Sequence, residues 1–309
     1  MGWRFRRIAK NKFMELGISS FGGVEPDRKA GRAMNAHQRV QELLEAIKLA
    51  DEVGLDVFAL GEHHRADFVI SAPEVILAAA ASITKNIRLS SSVTVLSSAD
   101  PVRVFQNFST LDLISEGRAE IMAGRGSFTE SFPLFGYDLS DYDELFTEKL
   151  DLLLQINQQE IVSWQGRHRP ALHNAGIYPR PYNEALPIWI AVGGTPASAV
   201  RAGRLNLPMM VAILGGPPDR FVPFANLYRE SAQDAGHDIS KLPLGINTHF
   251  YVADTSQQAA DEFYPSYEVL MSRIGRERGW PPLDRRYFEQ MRAHGPLMVG
   301  SVQEIIDKI

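Results

Sequence analysis

IRLSSSVTVLSSADPVRVFQNFSTLDLISEGRAEIMAGRG, residues 87 to 126, carries the sequence signal that decides the fold. It opens on a strand-like run, 87 to 96. Asp100 then offers an N-cap and Pro101 a first-turn proline, whose missing N–H costs nothing there, for a helix that Gly117 closes. A second strand-like run, RAEIMAG at 118 to 124, follows at once. Strand, helix, strand with short punctuation is a βαβ unit, and its two strands lie parallel.

The same alternation extends both ways. Upstream lie a strand from Phe13 to Ile18, a helix from Ala36 to Val53 and a strand from Asp56 to Gly61. The helix has apolar residues at three- and four-residue spacing and ends at Gly54. A helix opened by Pro73 comes next. Downstream lie a helix from Tyr142 to Gln158, the strand LPIWIAVGG, a helix begun by Thr195-Pro196, the strand LPMMVAILGG, a helix near 220 to 235 and a strand at 242 to 253. Seven strands in one α/β chain without a linker favour a (β/α)8 TIM barrel over an open doubly wound sheet. The first strand–helix connection carries no GxGxxG, which argues against a dinucleotide-binding fold. An eighth strand is missing at the C-terminus, where the segments after 253 read as helices. The expected organisation is therefore a basic extension at 1–12 and a single barrel domain at 13–309, cut short at its C-terminal end.

Composition narrows the function. The chain has 309 residues, 45 % hydrophobic and 22 % charged, with a net charge of −5. That balance gives no electrostatic case for nucleic acid or an anionic membrane as partner. No apolar run approaches the roughly 20 residues of a membrane helix, and a cytoplasmic location is the default expectation. The absence of cysteine excludes disulfides, thiolate catalysis and zinc–cysteine sites.

Barrel enzymes carry their reactive groups at the C-terminal ends of strands. Those ends read GEHH, VLSSAD, AGRG, VGGTP and ILGGPP. Period-two alternation sends His63 into the barrel mouth and His64 the other way. The two make a poor chelating pair, so no metal site is expected. His64 reads as a polar rim residue, and Glu62 either orients an imidazole or caps nearby backbone. Gly193 and Gly194 allow close approach of a ligand, and Thr195 caps a helix whose N-terminus suits a phosphate. Arg125 adds a planar cation matched to phosphate oxygens. Alone, these are an ordinary turn and a surface ion pair; together they read as a phosphate cup. Ser91 and Ser92 are small enough for a flat ring to lie against their strand. The ends offer only His63 and His249 as metal ligands, too few for a metal-dependent hydrolase.

ADEVGLDVFALGEHH at 50–64, the run from Val93 to Gly126, FPLFGYD at 132–138 and the VGG before Thr195 together resemble the bacterial luciferase-like flavin monooxygenases, from Met14 to the C-terminus. The resemblance implies a (β/α)8 barrel, usually dimeric, that uses reduced FMN, supplied by a separate flavin reductase, and molecular oxygen on a small organic substrate. Relatives with a deazaflavin coenzyme transfer only hydride, and others bind flavin without catalysis. By position, His63 matches the active-site histidine, Arg125 the arginine on the FMN phosphate, and Gly193, Gly194 and Thr195 the backbone that holds the same phosphate. Ser92 and Val93 match a strand-three pair under the flavin ring, joined in relatives by a non-prolyl cis peptide. Glu62 is carried as a second catalytic candidate beside His63. Light-emitting relatives have a cysteine before the arginine; Ala123-Gly124 stands here, so light emission is not implied.

Overall fold

The computed structural model describes residues 14–24 and 35–309. The expected extension at 1–12, the start of the first strand and most of the polar loop after it lie outside the described residues. The chain divides into two compact units, the first ending at Ala191 and the second running Val192–Ile309.

The first unit is built of βαβ steps. Its strands are β1 (Gly17–Ser20), β2 (Val57–Leu60), β3 (Arg88–Ser91), β4 (Thr94–Val95), β5 (Ala119–Gly124), β6 (Ile161–Trp164), β7 (Leu172–Gly176) and β8 (Ile188–Val192), the last ending at the junction of the units. Its helices are α1 (Ala36–Val53), α2 (Pro73–Ala81), α3 (Pro101–Ser115), α4 (Ser131–Phe135) and α5 (Tyr142–Gln158). The parallel order is β1-β2-β3-β5-β8, with Ser20 opposite Leu60, Leu60 opposite Ser91, Leu89 opposite Ala119, and Ile121 opposite Ile188. All five strands point the same way, so their C-terminal ends share one edge.

Local chemistry sets the helix limits. Asn35 accepts from the His37 N–H to start α1, and Gly54 ends it at φ 89°. Asp100 Oδ1 accepts from the N–H groups of Val102 and Arg103 at 2.9 and 3.2 Å, with Pro101 behind it. The end of α3 departs from the sequence reading. The left-handed turn begins at Glu116, φ 57°, one residue before Gly117, which is left-handed too at φ 86°. The strand read as 87–96 is broken in two, and the Ser92–Val93 peptide between the halves is cis. Phe58, Leu60, Leu89, Ile121 and Ala123 fill the interior with Phe105, Phe108 and Leu111 of α3. At the opposite, N-terminal edge the Arg118 guanidinium donates to the carbonyls of Ala81, Thr84, Ile87 and Ser115. That edge serves stability rather than chemistry. An antiparallel hairpin, β6–β7, follows α5; the sequence reading placed nothing there.

The second unit holds α6 (Pro196–Arg204), β9 (Met209–Ala212), α7 (Val222–Asp234), β10 (Leu244–Asn247), β11 (Phe250–Ala253), α8 (Ser256–Arg278), α9 (Arg285–Ala293), β12 (Met298–Ser301) and α10 (Val302–Lys308). β9 and β10 pair in parallel. Gly203 lets α6 lie on α7, since a Cβ there would sit 2.3 Å from the Tyr228 carbonyl oxygen. Tyr228 donates to the carbonyls of Leu207 and Pro243. Among the described residues the principal parallel series has the seven strands expected from the sequence, β1, β2, β3, β5, β8, β9 and β10. The chain also makes a short strand the sequence reading did not place. This is β12, which pairs in parallel with β11 as a separate two-stranded sheet over a core of Ala259, Tyr267, Phe288 and Leu297. Ser301 caps α10 by accepting from the Glu304 N–H. No described helix is long and apolar enough to cross a membrane.

Candidate active site at the strand ends

His63 stands just past the end of β2. Its N–H donates to the Ile70 carbonyl at 2.8 Å, which turns the chain back and holds the imidazole in place. The ring is 9 % exposed and boxed by aromatics. Phe68 stacks on it at 4.3 Å, and Phe21 and Phe128 meet it edge-on at 4.8 and 5.0 Å. These rings come from the turns after β2, β1 and β5. Gly61 makes the box possible, because a Cβ there would lie 2.2 Å from Phe21 Cδ1 and 2.8 Å from the Ser92 carbonyl oxygen. Phe68 also lines a cavity of about 620 Å³ with Val24, Val40 and Val69.

The electrostatics of His63 differ from a solvent-exposed imidazole. Burial pulls its pKa from 6.5 down to about 4; nearby Asp67 opposes the drop. The ring is therefore neutral at pH 7, with one N–H and one lone pair. Its Nε2 is buried and has no hydrogen-bond partner among the described residues. A buried polar atom without a partner is uncommon and is found where a ligand completes it. An exposed imidazole would titrate near neutrality; burial in the aromatic box removes that.

Glu62 and His64 face the other way, as alternation requires. One Glu62 oxygen lies 2.8 Å from His64 Nε2, and the other accepts from the Val95 N–H at 2.8 Å. The Glu62 N–H donates to the Val93 carbonyl. Glu62 thus braces the backbone just after the Ser92–Val93 bond, at Val93 and Val95. Of the two roles read from sequence, backbone capping and orienting an imidazole, both occur, but the imidazole is that of His64. The pair borders a cavity of about 330 Å³ with Asp100, Arg103 and Asn107.

Ser92 is buried and its N–H donates to the Leu60 carbonyl at 2.7 Å. Ser91 Oγ accepts from the Met122 N–H and from the Thr94 hydroxyl, so it ties β3 to β5. The Ser92–Val93 bond is cis, as the resemblance implies. The bulk of Val93 is accommodated across the sheet. A Cβ on Gly124 would stand 2.7 Å from Val93 Cγ2, so glycine at 124 makes the room.

Arg125 follows β5. It pairs with the Asp143 carboxylate and lies over the Tyr142 ring, 5.2 Å from the centroid. The Tyr142 hydroxyl donates to the Gly126 carbonyl at 2.6 Å, fixing that loop. In the second unit, Gly194 takes φ 136° and a Cβ on either Gly193 or Gly194 would meet open space, so this backbone stands clear. Thr195 occupies the N-cap position of α6, but its side chain makes no capping bond, contrary to expectation. The sequence reading missed the three phenylalanines. They belong to separate turns and carry no common spacing.

A profile described as luciferase-like monooxygenase matches residues 14–309. The chain belongs to this family. Solved structures bear out the fold assignment. Monooxygenase RslO1 from Streptomyces bottropensis superposes with a TM-score of 0.83 at 24 % identity, over 96 % of this chain and 88 % of that one. The oxygenating constituent of 3,6-diketocamphane monooxygenase from Pseudomonas putida, in complex with FMN, gives 0.74 at 22 %, over 96 % and 87 %. An F420-dependent secondary alcohol dehydrogenase gives 0.73 at 19 %, over 96 % and 89 %. The likeness shows that this luciferase-like monooxygenase has the family's TIM-barrel fold.

Proposed function

We propose that this family member is a monooxygenase that uses reduced FMN and molecular oxygen to oxidise a small organic substrate. The observation that carries the reading is the His63 imidazole, neutral, buried and, among the described residues, unpartnered at Nε2 within a wall of phenylalanines. Bound reduced FMN would supply the electrons that activate oxygen. The chain's own residues do the rest. Phe21, Phe68 and Phe128 keep water from the histidine, which a water-sensitive oxidation needs. His63 passes a proton through Nε2 without ever holding a net charge in the resting protein. Arg125 is our candidate for a phosphate cation, released from Asp143 when phosphate competes for it. Gly193, Gly194 and Thr195 are separate candidates for backbone contact with an anion, and Ser92 and Val93 for the surface under a flat ring. Glu62 acts as a positioning residue rather than a second acid.

We extend the proposal to a cytoplasmic homodimer fed by a separate flavin reductase. The rival reading is hydride transfer with a deazaflavin; the likeness to the F420-dependent dehydrogenase favours it as the alternative. Titrating the protein with FMN and, in parallel, with the deazaflavin coenzyme separates them. The proposal expects micromolar or tighter FMN binding, oxygen-coupled turnover with a reductase, and loss of turnover but not of FMN in His63→Ala. A protein that binds only the deazaflavin, or a His63→Ala variant with full turnover, refutes it.

A further inference from the structure

A second cluster lies away from the strand ends, where the β6–β7 hairpin meets the start of α5. Asp141 occupies the N-cap position of α5, yet its carboxylate makes no capping bond. Glu144 follows one turn later. His168 comes from the hairpin turn. Its side chain is only 10 % exposed, and its Nε2 is buried without a hydrogen-bond partner among the described residues. Nε2 stands 3.5 Å from Glu144 Oε2, and Nδ1 stands 3.9 Å from Asp141 Oδ2. Taking one donor atom from each residue, the three lie within 4.8 Å of one another.

The turn that carries His168 is held rigidly. Glu148 accepts from the N–H of Arg167 at 2.6 Å and from that of His168 at 2.9 Å. Gly166 permits that contact, since a Cβ there would lie 2.1 Å from Trp164 Cη2 and 2.5 Å from Glu148 Cδ. The imidazole is thus presented to the two carboxylates by a fixed backbone rather than by a free loop.

We propose that Asp141, Glu144 and His168 bind a divalent transition-metal ion of the zinc type, which pins the β6–β7 hairpin to α5. The donor set selects the ion. Calcium and magnesium take oxygen ligands, whereas an imidazole with carboxylates suits zinc. Tetrahedral zinc with bonds of about 2.0–2.2 Å places its ligand atoms about 3.3–3.5 Å apart, and the His168–Glu144 separation already matches. Three protein ligands leave a fourth position for water. The N-terminal end of α5 carries partial positive charge, roughly half a unit, which two carboxylates outweigh. Arg167 is the competitor. Its Nη1 donates to both oxygens of Glu144, at 2.9 and 3.3 Å, from an exposed position. Metal binding displaces it into solvent. None of the three ligands is a residue assigned to the flavin, although Tyr142 and Asp143, which hold Arg125, lie between Asp141 and Glu144.

The test uses the full, untagged chain stripped with EDTA and titrated with zinc chloride against a chromophoric chelator. The expected result is one equivalent bound. His168→Ala and Glu144→Gln should each weaken it about tenfold or more, in the range for disturbed metal sites. Arg167→Ala should bind zinc as tightly or more tightly, because Glu144 is freed. Zinc should also slow hydrogen exchange across 165–171 in the parent but not in His168→Ala. Absence of a stoichiometric equivalent overturns the proposal. So does parental affinity in both ligand variants, which would place the ion elsewhere. Should His168→Ala fail to fold, Glu144→Gln decides.

Discussion

Acid should destabilise this protein through His63, and the structure sets the size. Unfolded, the imidazole takes up a proton near pH 6.5; folded, burial delays uptake to about pH 4. Between those values the unfolded chain holds a proton that the folded chain does not, so stability falls as pH falls through the window. Fully above 6.5 the group costs nothing. Lowering the pH from 7 to 5 should remove about 2 kcal/mol on this account, and the limit below pH 4 is about 3 kcal/mol. His249, also drawn down to about 4 by burial, acts in the same direction. The comparison is therefore between the parent and His63→Phe, a ring that fits the same aromatic box and cannot titrate. Urea denaturation at pH 7 and pH 5 should show the variant losing about 2 kcal/mol less than the parent. Imidazole NMR should place the His63 titration near pH 4. Equal acid losses in the two proteins, or a His63 titration near 6.5, would refute the reasoning.

Three further perturbations test the other parts. Arg125→Ala should weaken FMN binding by about 1.5–3 kcal/mol, the worth of hydrogen bonds to a charged group; Asp143→Asn, which removes the competing carboxylate charge, should hold or raise affinity, both read by flavin fluorescence. Glu62→Ala leaves the Val95 N–H and His64 Nε2 without an acceptor and should cost about 1–3 kcal/mol for each group so stranded, measured by urea denaturation. Gly61→Ala drives a methyl against Phe21 and the Ser92 carbonyl. It should cost about 1–3 kcal/mol and move the His63 ring resonances; unchanged spectra would show that the box does not depend on Gly61.

The sequence by itself determined the order of strands and helices, because those signals are local. Asp100-Pro101 starts α3, Gly54 ends α1, and the spacing of apolar residues names the buried face, all within a few residues. The same locality put His63 and Arg125 at strand ends, and the strand alternation turned His63 and His64 to opposite sides. Only the tertiary structure decided what surrounds them. Phe21, Phe68 and Phe128 reach His63 from three turns scattered over more than a hundred residues, and no pattern along the chain links them. Their closure removes water from the imidazole, so its pKa is a property of the fold rather than of the residue. Glu62 likewise reads as acid or brace until Val95 and His64 are seen on its two oxygens. The β6–β7 hairpin and β12 escaped notice because short strands gain their stability from partners and leave a faint local trace. Val93 finds its room at Gly124, thirty-one positions away in the chain. Such contacts between distant residues are set by packing, which the linear order does not record.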